Sequence, residues 1–140
     1  MQIAVIGAGA AGCFAAIELK RRLPDAEITV YEAQNRALAK VAITGGGRCN
    51  LTNSFAEVKS AETVYPRGAR LMKRLLREFS HRDAWQWFEN EGVRLTTQSD
   101  ECVFPISQNA MEIVNTLLNL MERLGVKLKT HCLIQRIEPD

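Results

Sequence analysis

The 140-residue chain has only two histidines and four cysteines, and neither residue type clusters. Cys13, Cys49, Cys102 and Cys132 form no CxxC pair and have no metal-ligand spacing with His81 or His131, so no metal site is expected. Reduced, mostly buried thiols are expected instead. Long hydrophobic runs are also missing. Nothing is long enough to span a bilayer, and the N-terminus reads as a core strand rather than a charged leader followed by an apolar segment. A cytoplasmic location without a membrane partner is therefore expected. Charge of one sign is not in excess either: the formal net charge is +2, with 24% charged residues. That balance gives no strong pull toward nucleic acid, which is not the expected partner. The chain does carry 46% hydrophobic residues, enough for a globular core.

Glycine is where the sequence concentrates its information. Six of the nine glycines fall in Gly7-Ala8-Gly9-Ala10-Ala11-Gly12 and Gly45-Gly46-Gly47. Lacking a Cβ, such runs let backbone N–H groups approach a phosphate, so the two clusters point to one extended, phosphate-bearing ligand. The first cluster sits between an uncharged β-branched run, Gln2 to Ile6, which reads as a parallel strand buried on both faces, and a helical stretch from Ala10 to Arg22. Glu27 to Glu32 reads as a second strand that closes with an acid. Strand, helix and strand make a βαβ unit.

Each glycine of that unit has a task. Gly7 permits the tight turn, Gly9 lets a pyrophosphate reach the helix N-terminus, and Gly12 lets the helix pack closely on the sheet. Ala10 and Ala11 complete the phosphate loop. Glu32, 20 residues beyond Gly12, can accept from both ribose hydroxyls of an adenosine and repels a 2′-phosphate. These residues specify adenosine diphosphate and leave NAD and FAD open.

The second cluster lies in Ala42 to Asn53, which reads as a rigid, donor-rich loop, carried within Asn35 to Asn53 where an ordinary NAD-binding unit would place a second helix and a third strand. Lys40, Thr44-Gly45-Gly46-Gly47-Arg48-Cys49-Asn50-Leu51-Thr52-Asn53 and Val103-Phe104-Pro105-Ile106-Ser107 resemble the aminoacetone-oxidase-like, bile-acid-reductase-related flavoproteins. Those proteins are similar in fold to the glutathione-reductase-type FAD enzymes. The resemblance implies an α/β fold with a Rossmann-like parallel sheet and flanking helices, in which residues 1–140 are the N-terminal part of an FAD-binding domain. It implies FAD as cofactor, NAD(P)H or oxygen as redox partner, and a small-molecule substrate. On matching positions, Gly7, Gly9, Ala10, Ala11 and Gly12 would surround the pyrophosphate and Glu32 the ribose. Lys40, Thr44, Gly45, Gly46, Gly47, Arg48, Cys49 and Asn50 would line the flavin half, and Ile134 would lie against the adenine. Where relatives carry Gly-Arg before Val103, this chain has Glu101-Cys102, which puts any contact through that arginine in doubt.

Arg48 is read as a fixed cation, either near the flavin ring or on the pyrophosphate. Cys49 beside it is expected to be structural, because a flavin–disulfide exchange needs a second nearby cysteine. No residue stands out as a general acid or base, so no catalytic residue is named.

Two further helices are expected before Gly92. The first has Leu71, Met72, Leu75, Leu76 and Phe79 as a packed stripe, with Arg67, Arg70, Arg74 and Arg77 on a solvated side. The second holds Ala84, Trp85, Trp87 and Phe88, with His81 at its start. A hairpin or two short strands follow at 93–97 and 101–104, then a helix capped by Ser107 and stopped by Gly125, then a strand region at 126–129 and 133–137. The alternation favours a parallel sheet. Two alternatives remain at this level: an NAD-binding module without flavin chemistry, and an RNA-associated flavoprotein that uses the basic helix.

Overall fold

The computed structural model describes residues 1–138. It opens with β1 (Gln2–Ile6), α1 (Ala10–Arg22) and β2 (Glu27–Tyr31). These pair with β6 (Lys127–Lys129) into a parallel three-stranded sheet of order β1-β2-β6. The register sets Ile3 beside Ile28 and Val5 beside Val30, so four branched side chains share one face. On that face packs α1, through Cys13, Ala16 and Ile17, and α6 (Ala110–Arg123) joins the same core beside α1, through Ile113, Leu117 and Met121. Burial of these groups is the main driving force for docking both helices.

Burial along β1 alternates instead of being complete. Gln2, Ala4 and Ile6 stay exposed, Ile6 at 54%. Among the described residues the expectation of a strand buried on both faces is corrected, because α1 packs on one face and no described element covers Gln2, Ala4 and Ile6 on the other. A β-branched run reports strand propensity, whereas coverage depends on which helices pack where.

A second sheet is antiparallel, with order β3-β5-β4, built from β3 (Thr52–Asn53), β4 (Leu95–Thr97) and β5 (Cys102–Pro105). Of the two readings, the hairpin is the one formed, and it lies outside the parallel sheet. β3 carries the end of the glycine-rich segment onto β5, with Thr52 beside Val103. The Leu51 N–H donates to the Val103 carbonyl at 2.8 Å and extends that pairing.

The remaining helices are α2 (Ala39–Gly47), α3 (Ala61–Val64), α4 (Ala69–Glu78) and α5 (His81–Asn90). α2 corrects the reading of an uninterrupted loop: Ala39 to Ile43 turn helically before the backbone leaves the helix at Thr44, Gly45 and Gly46. Ala39-Lys40-Val41-Ala42 is compatible with a helical turn, and the glycines act only after it. α5 starts at His81 on a capping box, in which the Ser80 hydroxyl accepts from the Asp83 N–H and the Asp83 carboxylate accepts from the Ser80 N–H. At α6 the cap is Asn109, whose side chain accepts from the Met111 N–H at 2.9 Å, and not Ser107, which is engaged by Glu112. Both residue types cap helices, so only geometry decides between them.

Two other expectations change. Residues 133–137 form no strand, with Leu133 66% and Ile137 75% exposed, because no described strand pairs with them. In α4 the apolar stripe is packed on one side only: Met72 and Leu76 are half-buried, while Leu71 and Leu75 are 52% and 46% exposed. The aromatics do form packing. Phe14 of α1 meets Phe79 at 5.2 Å and Trp87 at 5.1 Å, and the Trp87 indole donates to Glu18 at 2.8 Å. No helix among the described residues is long and apolar enough to cross a membrane.

Candidate functional site

The turn between β1 and α1 is fixed from several sides. The Gly7 N–H donates to the Tyr31 carbonyl at 2.7 Å, and Gly7 takes φ +97°, a conformation that L side chains rarely adopt. Gly12 lies against that turn so closely that a Cβ on it would stand 1.9 Å from the Gly7 carbonyl oxygen. Ala8, 1% exposed, holds two later segments: its N–H donates to Glu32 Oε2 at 2.8 Å, and its carbonyl accepts from the Leu38 N–H at 2.8 Å.

Gly9 is the N-cap of α1 and supplies no side-chain cap. The N–H groups of a first helical turn have no partner within the helix, and they carry the positive end of its dipole. Gly9, Ala10 and Ala11 are exposed, so these donors face solvent. A Cβ on Gly9 would meet nothing within 4 Å. That glycine is therefore not required by the protein's own packing.

Glu32 follows β2 at its C-terminal end. Its carboxylate accepts from the Gln34 N–H at 2.9 Å and from the Ala8 N–H, and these bonds hold its pKa below the ordinary carboxylate value. The group is therefore ionised at neutral pH and keeps lone pairs for further donors. Around it opens a cleft of about 580 Å³, lined by Ala8, Gly9, Ala10, Glu32, Arg36 and Lys40 among others. Arg36 was not legible as a site residue, because it falls in a polar stretch without a pattern. Its only sequence signal is its position four residues after the acid.

A second cleft of about 390 Å³, mostly apolar, shares Ala10 and Val41 with the first. It is also lined by Ala11, Thr44, Cys49 and Asn50. The start of α1 thus lies between the two clefts, with Ala10 and Val41 lining both and Thr44, Cys49 and Asn50 lining the second. Gly7 and Gly12 build the turn without lining either cleft. Gly45, Gly46, Gly47, Arg48 and Ile134 do not line them either. Ile134 is half-buried in irregular chain, just after Cys132, whose N–H donates to the Glu32 carbonyl at 2.8 Å.

Arg48 supports the loop from within. Its Nε donates to the Gly45 carbonyl at 3.0 Å, its guanidinium reaches Gln98 at 3.3 Å and Gln108 at 3.4 Å, and it lies 4.3 Å over the Phe104 ring. A planar fork stacked on an aromatic ring is a use that lysine cannot reproduce. Arg48→Ala is expected to cost about 2 kcal/mol of stability through the lost stacking and hydrogen bonds, with Arg48→Lys recovering little of it. Urea unfolding of the three proteins measures this directly.

Cys49 is 4% exposed at φ +64°, and burial pushes its thiol pKa up. Cys13 is pushed up to about 11, first by burial and then by the Glu32 charge. Neither environment favours a thiolate. Iodoacetamide should therefore alkylate Cys102 and Cys132, which are half-buried, well before Cys13 and Cys49 in the folded protein. Peptide mass mapping before and after denaturation gives the order.

A parallel sheet, a glycine turn opening a helix and an acid ending the second strand together define a Rossmann-type dinucleotide-binding domain. More narrowly, the chain belongs to the family described as HI0933-like protein Rossmann domain, which matches residues 1–140. It is 28% identical over 137 residues to 3-dehydro-bile acid delta(4,6)-reductase of Clostridium scindens, a match covering 98% of this chain and 32% of that protein. It is 26% identical over 134 residues to ribosomal RNA dihydrouridine synthase of Haemophilus influenzae, covering 96% and 32%. The chain thus spans about a third of the length of these relatives. Among solved structures, THI4 of Thermovibrio ammonificans shares the fold, with a TM-score of 0.56 at 12% identity over 92% of this chain and 38% of that one.

Proposed function

We propose that this chain is the FAD-binding part of a flavin-dependent oxidoreductase, and that residues 1–140 are the N-terminal portion of its FAD domain. The observation that carries this reading is the pair of neighbouring clefts, one at Glu32 and one at Thr44 and Asn50, that share Ala10 and Val41 in their linings. The residues fit an extended dinucleotide. Exposed N–H groups at Gly9 to Ala11 would hold the pyrophosphate, Glu32 the ribose hydroxyls, and Arg36 and Lys40 would offset phosphate charge. The apolar cleft beyond Val41 suits the flavin half better than a charged group. Gly45 leaves no room for a Cβ between Asn50 and Phe104, which keeps the Thr44–Asn50 segment folded against β5.

Bound FAD would supply hydride chemistry, while the protein's part is binding, orientation and electrostatics. One relative is named a delta(4,6)-reductase and the other a dihydrouridine synthase, and both names fit addition of two hydrogens across a carbon–carbon double bond. That shared chemistry supports reduction of such a bond by the whole protein, with NAD(P)H as the transient source of hydride. The test is the visible spectrum of the purified protein, followed by titration with FAD and NAD. A flavin spectrum, or FAD binding tighter than NAD, supports the reading. A colourless protein that takes NAD and refuses FAD makes it a nicotinamide-binding module instead.

A second reading concerns the substrate. The exposed cationic side of α4, together with the ribosomal RNA in the name of the Haemophilus influenzae relative, supports an RNA base as the carrier of the reduced double bond. A bile acid is the contrasting small-molecule case.

A further inference from the structure

We propose that the outward face of α4 is an RNA-docking surface on which Arg70, Arg74 and Arg77 contact a row of phosphates. The proposal rests on the second reading above. The near-neutral total charge conceals how unevenly that charge is placed. Five of the 18 lysines and arginines lie between Arg67 and Arg77, and the other 13, set against 16 carboxylates, leave the remainder of the chain net negative. No acidic residue interrupts that stretch.

The cations are also available. Lys73 pairs with Glu62, but Arg67, Arg70, Arg74 and Arg77 make no ion pair among the described residues. All four are exposed, and Arg70, Arg74 and Arg77 line one shallow groove with Gly68, Leu71 and Lys73. Positions i, i+4 and i+7 run about 10 Å along a helix, forming a row that suits a polyanion better than a single phosphate. Guanidinium groups also hydrogen-bond phosphate oxygens in pairs and stack on unpaired bases.

The other side of α4 argues against a bilayer. Met72 and Leu76 are half-buried, and Phe79 packs on Phe14 at 5.2 Å, so the apolar side is partly committed to the protein body. An interfacial helix lays its apolar face into the membrane. Burying the whole stripe in a membrane would require α4 to leave Phe14, and with the helix in place only Leu71 and Leu75 stand exposed beside the outward-facing arginines.

The test uses a fluorescently labelled single-stranded RNA and measures its affinity for the protein between about 50 and 200 mM salt. The triple variant Arg70→Gln, Arg74→Gln, Arg77→Gln is compared with a charge-matched control, Arg22→Gln, Arg94→Gln, Arg123→Gln. Unfolding midpoints and FAD affinity are measured on all three proteins. The expected result is RNA binding by the parent and the control, a loss of about tenfold or more in the α4 variant, and a slope of log affinity against log salt that is shallower by about 2 to 3. FAD affinity should not change.

Parent-level RNA affinity in the α4 variant, or an equal loss in the control, would overturn the assignment of α4. Absence of RNA binding by the parent would overturn the proposal together with the second reading, and FAD binding would still stand on its own titration. Binding to phosphatidylserine vesicles that is abolished by the same three substitutions, without RNA binding, would reassign the face to a membrane.

Discussion

Gly12→Val is expected to unfold much of the population or leave a protein that retains no dinucleotide. A Cβ at this position would sit 1.9 Å from the Gly7 carbonyl oxygen and 3.1 Å from its carbon. Both are backbone atoms. Gly7 is tied to Tyr31 by its N–H and cannot retreat without breaking the turn from which α1 starts. Overpacking against a fixed backbone costs about 3 kcal/mol or more, a large share of the 5–15 kcal/mol that stabilises an ordinary domain. Urea unfolding and bound-cofactor content measure the two effects. An unchanged midpoint in Gly12→Val would mean that α1 does not approach β1 as described.

Gly45→Ala has the second largest expected effect. Gly45 adopts φ +59°, and a Cβ there would lie 2.7 Å from the Asn50 amide nitrogen and 2.9 Å from the Phe104 ring. The left-handed conformation alone costs an alanine about 1 kcal/mol, and the backbone clash should bring the total to about 2–4 kcal/mol. Gly46 provides the comparison: at φ +68° with nothing within 4 Å, it carries the conformational cost without the clash. Gly46→Ala should therefore lose about 1 kcal/mol. Equal losses in the two variants would show that the contact between Gly45 and Asn50 is not close.

The βαβ unit could be read from the chain because its determinants are local. Gly7, Gly12, the branched run before them and Glu32 each act within one turn or one strand, and the structure places them in that relation. The exposed side of β1 could not be read, since Ile6 looks the same whether or not a helix covers it. The helical turn at Ala39 was hidden by the glycines that follow it. The strand expected around Ile134 failed because a strand exists only with a partner, and residue pattern does not supply one. In α4, the periodicity identified a helix correctly but not how much of its stripe would be covered. The total charge of +2 is a sum that does not say where the charge sits, and five of the cations fall on 67–77.

Within the site, Ala8, Gly9, Ala10, Glu32 and Lys40 meet in one cleft, and Ala11, Thr44, Cys49 and Asn50 meet in the next. Arg48 belongs to the loop's internal support, through contacts to Gln98, Gln108 and Phe104 that lie 50 to 60 residues away in sequence. Such contacts depend on β3 pairing with β5, which nothing near Arg48 announces.

The central claim, that a dinucleotide's pyrophosphate approaches the backbone at Gly9, is tested most directly by FAD titration of the parent and of Gly9→Ala, with unfolding measured in parallel. Gly9 has ordinary negative φ and open space where a Cβ would stand, so the variant should fold with an unchanged midpoint. Its methyl group would occupy the path of the phosphate, and FAD affinity should fall about tenfold or more, or about 1.4 kcal/mol. A Gly9→Ala protein that binds FAD as tightly as the parent would contradict the account.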